Sequence, residues 1–178
     1  MLSILRKARL KDKEMRILML GRRGYTDGIF DDLLIIMDRY KLNICMSSRC
    51  PLPLCAVLTV LLGDVGGQKT LRSYWRNYFE KTDSLIWVVD ATDRLRIDDC
   101  REELAGLLLE ERLMGASLLV FLNKTDVEGC MTVNEIRELD AIKTHKWTIL
   151  PCSAMTGKNL NEGLEWVVQD AKDRLFLY

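Results

Sequence analysis

Asn123-Lys124-Thr125-Asp126 sets an amide, an ammonium and a carboxylate on one short stretch directly after an apolar run, and Cys152-Ser153-Ala154 follows the next such run. A carboxylate at Asp126 can accept two parallel N–H donors. Guanine offers such a pair in its ring N–H and exocyclic amine, and adenine does not. Asn123 can bond the base or tie neighbouring loops together, and the Lys124 stem can lie along a purine face. After the last strand, Ser153 and Ala154 bring backbone N–H groups to where one could reach the guanine carbonyl oxygen. Taken alone, N-K-x-D also fits an ordinary polar turn; its place at a strand end, with C-S-A after the next strand, favours the guanine site.

A second constellation, Asp64-Val65-Gly66-Gly67-Gln68, suits the other end of a nucleotide. Gly67 lets a backbone N–H approach a terminal phosphate closely, Asp64 can hold Mg²⁺ through water, and Gln68 can orient a hydrolytic water. A plain Gly-Gly turn explains the glycines but not Asp64 and Gln68 together.

These residues need a scaffold, and the apolar pattern supplies one. Ile17 to Leu20, Leu85 to Val89, Leu118 to Leu122 and Trp147 to Leu150 read as buried strands. Between and after them, Ile97, Cys100, Leu104, Leu107 and Leu108, and then Leu160, Leu164, Val167, Val168, Ala171 and Leu175, recur at helical spacing. Strands alternating with helices predict an α/β fold, a mostly parallel central sheet with helices on both faces. Ligands of such sheets sit beyond the carboxyl ends of the strands, where the polar tetrapeptide and C-S-A fall.

Composition excludes other classes. The 178 residues carry 26 Lys and Arg against 26 Asp and Glu, without the basic excess of a nucleic-acid binder. At 48% apolar and 29% charged, the chain is globular rather than disordered. Its six cysteines form no CxxC pair and point to reduced thiols in a cytoplasmic protein. Cys45, Cys50 and Cys55 lack the further ligands that zinc requires. Leu52 to Leu62 is too short to span a bilayer, which takes about twenty residues. Residues 1–15 pattern as an amphipathic helix with a cationic face, which could touch a membrane or fold back onto its own domain; spacing alone fits an ordinary first helix with a solvated face equally well. Leu2 stands where myristoylation needs Gly, and Leu175-Phe176-Leu177-Tyr178 has no prenylation Cys, so no stable membrane anchor is expected. His145 reads as a surface or turn residue, and Glu110-Glu111-Arg112 as the solvated end of a helix.

The run from Asp64-Val65-Gly66-Gly67-Gln68 through Lys69-Thr70-Leu71-Arg72-Ser73-Tyr74-Trp75-Arg76-Asn77-Tyr78-Phe79-Glu80 to Leu85-Ile86-Trp87-Val88-Val89-Asp90 resembles the second switch and following strand of the ADP-ribosylation-factor-like (Arf family) small GTPases. Within them it resembles the branch called Arf-like protein two. The likeness covers Asp64 to the C-terminus almost continuously and is joined by Leu5 to Gly21. Three guanine-nucleotide motifs occur in family order. The resemblance implies a Ras-like P-loop GTPase fold, a GTP/GDP switch with slow hydrolysis, Mg²⁺, and a monomer acting on protein effectors and regulators, among them tubulin-folding cofactors and carriers of lipidated cargo. It gives Gln68 the catalytic water, Asp64 the metal shell, Gly67 the γ-phosphate, and Asn123, Lys124, Asp126, Ser153 and Ala154 the base.

The N-terminal third is atypical. A phosphate loop reads G-x-x-x-x-G-K-[ST], and counting from Gly21 its last three positions fall on Thr26, Asp27 and Gly28. Counting from Gly24 they fall on Ile29, Phe30 and Asp31. The first switch is unrecognisable. Tyr40-Lys41-Leu42-Asn43-Ile44 resembles the end of the family's interswitch hairpin, yet Cys45 to Gly63 intervenes before Asp64 and Gly63 replaces the family's Trp. Residues 16–178 are therefore expected to form one domain, divergent over 22–63, in which a segment bearing the phosphate loop has been exchanged for another. This predicts a switch that binds GTP weakly or not at all. A nucleotide-independent interaction module using the Lys69 to Glu80 surface, and a defective splice or gene-model product, are the alternatives.

Overall fold

A computed structural model describes residues 17–21, 79, 82–136, 142 and 144–176. The expected helix over 1–15, the divergent segment 22–63, and Asp64, Gly67 and Gln68 lie outside the described residues, as do Cys45, Cys50 and Cys55.

The four apolar runs form strands β1 (Ile17–Gly21), β2 (Ser84–Asp90), β3 (Ser117–Asn123) and β4 (Trp147–Pro151). They pair in parallel in the order β1-β2-β3-β4. Both β2 and β3 are buried from end to end, which is why their sequences are continuous apolar runs rather than alternating ones. Alternation persists as a division between two faces. Leu85 pairs with Leu118, Trp87 with Val120 and Val89 with Leu122 on one face; Ile86 with Leu119 and Val88 with Phe121 on the other.

Helix α1 (Ile97–Leu108) packs Leu104, Leu107 and Leu108 over the first face. Helix α3 (Leu160–Phe176) packs Leu160, Leu164, Val167 and Ala171 over the second. Each such Leu or Val contributes about 1.5–3 kcal/mol on leaving water. Of the stripes read from sequence, Cys100, Leu104, Leu107 and Leu108 on α1 and Leu160, Leu164, Val167, Val168 and Ala171 on α3 are buried, Ile97 is half-buried, and the Leu175 side chain lies outside those described. Gly163 makes the α3 contact close: a Cβ there would lie 2.5 Å from two ring atoms of Phe121.

Between β3 and β4 the described residues include a helical segment, α2 (Val133–Ile136), which sequence periodicity did not resolve. It begins with a capping box in which Glu135 accepts the Thr132 N–H at 2.7 Å and the Thr132 hydroxyl at 2.9 Å. Those bonds, with the Arg94 guanidinium at 2.7 Å, pull the Glu135 carboxyl down to about 2.

At the amino end of the sheet, Arg174 of α3 donates to the carbonyls of Asp83 at 2.6 Å and Gly115 at 2.7 Å, and to Asp170 at 2.9 Å. Asp170, 3% exposed, also takes the Lys146 ammonium. Burial alone would raise its carboxyl, but the Lys146 bond, the Arg174 charge and the Ser117 hydroxyl outweigh it and hold it below the ordinary value. The end of α3 is thereby tied to the starts of β2 and β3, leaving the opposite end of the sheet for ligands.

The surface placement expected for His145 is corrected here. It lies in a bend, as a turn residue would, but is 8% exposed, with Nε2 3.0 Å from the Leu113 carbonyl and Nδ1 2.7 Å from the Thr144 hydroxyl. A ring bonded at both nitrogens can be buried without leaving a polar atom unsatisfied. Glu111 and Arg112 are solvated as expected, but in a separate 3-10 turn over Glu111–Leu113 rather than on α1.

Candidate functional site

Because the strands are parallel and in register, their carboxyl ends form one edge. Gly21 pairs with Val88, Asp90 with Asn123, and Leu122 with Pro151. The chain leaves this edge by turns after β2, β3 and β4, and these turns carry the residues marked in the sequence.

Asn123 is fully buried. Its Oδ1 accepts the backbone N–H of Lys124 at 2.8 Å and that of Ala154 at 3.0 Å, with the Cys152 thiol at 3.9 Å. Of the two roles open to Asn123 in the sequence, tying the loops is the one its oxygen performs here. Thr125 closes the same junction, donating its N–H at 3.1 Å and its hydroxyl at 2.8 Å to the Cys152 carbonyl. Cys152 in turn donates its N–H to Leu122 at 2.8 Å. Burial pushes the Cys152 thiol up to about 12, so it stays protonated beside the Asn123 oxygen.

Lys124 has φ 64°, a left-handed conformation that turns the chain sharply out of β3. Its ammonium sits 2.7 Å from Asp90 Oδ2. The other Asp90 oxygen accepts the Thr92 N–H at 2.8 Å and the Thr92 hydroxyl at 2.6 Å. Burial would raise the Asp90 carboxyl; the bonds from Lys124 and Thr92 and the Lys124 charge outweigh that and hold it below the usual range.

Asp126 follows on the surface side of this braced turn. It is exposed, and no hydrogen bond or ion pair to its carboxylate occurs among the described residues. Neither oxygen is taken by a donor among the described residues. Ser153 is fully buried and closes its own loop: its N–H donates to the Lys158 carbonyl at 3.2 Å and its hydroxyl accepts the Thr156 N–H at 3.2 Å. Asn159, at φ 60°, bonds the Pro151 carbonyl at 2.7 Å and starts α3. The structure thus brings Asn123, Lys124, Asp126, Ser153 and Ala154 together at one sheet edge.

Sequence reasoning gave Asp90, Thr92, Thr125 and Cys152 no role in this site. A signal existed for the first pair: Asp at a strand end with Thr two residues later is a turn in which the carboxylate captures local N–H and O–H groups. Among the described residues no cluster of three or more His, Cys, Asp or Glu is placed to hold a metal ion, and no helix is long and apolar enough to cross a membrane.

The sequence model of the ADP-ribosylation factor family matches residues 55–171. The chain is 46% identical to ADP-ribosylation factor-like protein 2 of Arabidopsis thaliana over 187 residues, covering 99% of this chain and 98% of that relative. It is 43% identical to the protein of the same name from Dictyostelium discoideum over 198 residues, again covering 99% and 98%. Among solved structures it is similar to that of the Arl6 BBS3 small GTPase from Trypanosoma brucei with bound nucleotide analogue GppNp. The TM-score is 0.66 at 22% identity, over 90% of this chain and 99% of that one, which shows the shared Ras-like fold.

Proposed function

Since the chain belongs to the ADP-ribosylation factor family of small GTPases, we propose that the sheet edge is the base-recognition half of a guanine-nucleotide switch that lacks an ordinary phosphate loop. One observation carries the reading. Buried Asn123 locks the N-K-x-D turn to the loop of Ser153 and Ala154 and leaves the Asp126 carboxylate exposed and unpartnered among the described residues. Asp126 would take the guanine ring N–H and amine, the Lys124 stem would lie along the purine, and the Ala154 N–H would be shared between Asn123 and the base carbonyl. A bound Mg²⁺ would screen phosphate charge, with Asp64 in its shell; Gly67 and Gln68 would face the terminal phosphate.

The phosphate end decides affinity. Each hydrogen bond to a charged group contributes about 1.5–3 kcal/mol net, and a phosphate loop supplies about four besides its Lys. Their loss weakens binding by roughly four powers of ten or more, at about 1.4 kcal/mol per tenfold. The family match begins only at residue 55, and the two alignments above are longer than the chain itself, so the relatives hold residues without a counterpart here. The start of the family match at residue 55 supports the divergence inferred from Thr26, Asp27 and Gly28.

Titration with fluorescent guanine and adenine nucleotides tests the reading. We expect guanine to be preferred, with an affinity of micromolar or weaker, and the preference to disappear in Asp126→Asn. Submicromolar binding that depends on Asp126 would refute the missing phosphate loop; equal binding of adenine would refute the guanine site. The same missing loop favours a second reading, in which Lys69 to Glu80 docks a protein partner, of the tubulin-cofactor or lipid-cargo-carrier kind implied by resemblance, without switching. Guanine nucleotide retained through purification argues against this second reading.

A further inference from the structure

Asp90 is the last residue of β2 and the register partner of Asn123, and it is 5% exposed. A carboxylate so enclosed is stable only when its oxygens are paired, and here each has its own partner. Thr92 brings its N–H and hydroxyl to Oδ1, which orients the carboxylate so that Oδ2 meets the Lys124 ammonium at 2.7 Å. Lys124 is therefore held at both ends. Its backbone is bonded to Asn123 Oδ1, and its ammonium is bonded to Asp90. The methylene stem between them loses its rotamer freedom while its side chain stays 37% exposed, a fixed apolar bar open on one flank.

We propose that Asp90, oriented by Thr92, is a positioning residue of the base site: it acts through Lys124, setting the height and direction at which the Lys124 stem meets a purine ring. The inference rests on the guanine reading above. Asn123 fixes the backbone of the N-K-x-D turn and Asp90 fixes its side chain, so two paired strand ends divide the work of holding one recognition surface.

The test is a double-mutant cycle on the full chain, read as displacement of a fluorescent guanine nucleotide by unlabelled GDP, with ADP as control. Asp90→Asn is expected to raise the GDP dissociation constant about tenfold, as loss of one charge-assisted bond would. Lys124→Met should do the same, and the double variant should be no weaker than Lys124→Met alone. Thr92→Val should raise the constant about threefold, and Thr92→Ser should restore it. An Asp90→Asn effect that persists undiminished in the Lys124→Met background would mean that Asp90 supports the fold in general, and would overturn the proposal; so would GDP affinity unchanged in Asp90→Asn. Should Asp90→Asn fail to fold, the Thr92 pair decides: no rise in Thr92→Val, or no rescue by Ser, overturns it. A wild-type chain without Asp126-dependent guanine preference would overturn the guanine reading itself, and the positioning role with it.

Discussion

Replacing Asn123 by Ala removes the oxygen on which two loops converge, and the cost can be worked from its partners. The N–H groups of Lys124 and Ala154 lose their acceptor at 2.8 and 3.0 Å, and both are partly buried. A buried donor left unsatisfied costs about 1–3 kcal/mol; partial access to water places each near the lower end, so about 2–3 kcal/mol together. The Thr125 bonds to the Cys152 carbonyl remain, which argues for a weakened junction rather than an unfolded domain. At about 2–4 °C per kcal/mol for a domain of this size, the melting temperature should fall by roughly 4–12 °C. Circular dichroism melts of Asn123→Ala and of Met155→Ala measure this. Met155 is 87% exposed beside the same loop and its truncation should change stability by less than about 0.5 kcal/mol. If Asn123→Ala melts with the Met155 control and keeps its guanine preference, the Asn123 clamp does not hold the site.

Gly163→Ala should destabilise the domain by about 1–3 kcal/mol in urea although alanine favours helix, because its Cβ would meet the enclosed Phe121 ring at 2.5 Å. Trimming the ring in Phe121→Leu should remove most of that penalty. Asp90 and Asp170 both sit below their ordinary value of 3.8. The unfolded chain therefore takes up their protons first as pH falls: the stability they contribute is complete above about pH 5 and is lost on acidification through their folded values. Urea midpoints followed between about pH 2 and 6 should decline toward acid, less steeply in Asp170→Asn. Finally, iodoacetamide at about pH 8 should spare Cys152, whose thiol is pushed up to about 12, and modify half-buried Cys130 ahead of buried Cys100 and Cys152. Peptide mass mapping that finds Cys152 alkylated in the native chain would refute its enclosure.

The strands and the two long helices were legible because their signals are local. A run such as Leu118 to Leu122 must be buried on both faces, and the stripe from Leu160 to Ala171 must meet a sheet, whatever the rest of the chain does. The convergence of the residues proposed to hold the base was legible for a similar reason: N-K-x-D and C-S-A each lie within a few residues of a strand end. His145 misled because a lone histidine in a polar stretch carries no mark of the Leu113 carbonyl that accommodates it inside.

By itself, then, the sequence determined that this is an α/β chain of the Arf family, that guanine is the base its motifs suit, and that residues 22–63 do not spell a phosphate loop. Only the tertiary structure decided which atoms hold those motifs in place. Asp90 reaches Lys124, Asn123 reaches Ala154 and Arg174 reaches Asp83 across gaps of tens of residues. Such pairings follow from the register of parallel strands joined by crossovers. Register is set by burial of both sheet faces at once, and no short window of sequence contains that condition.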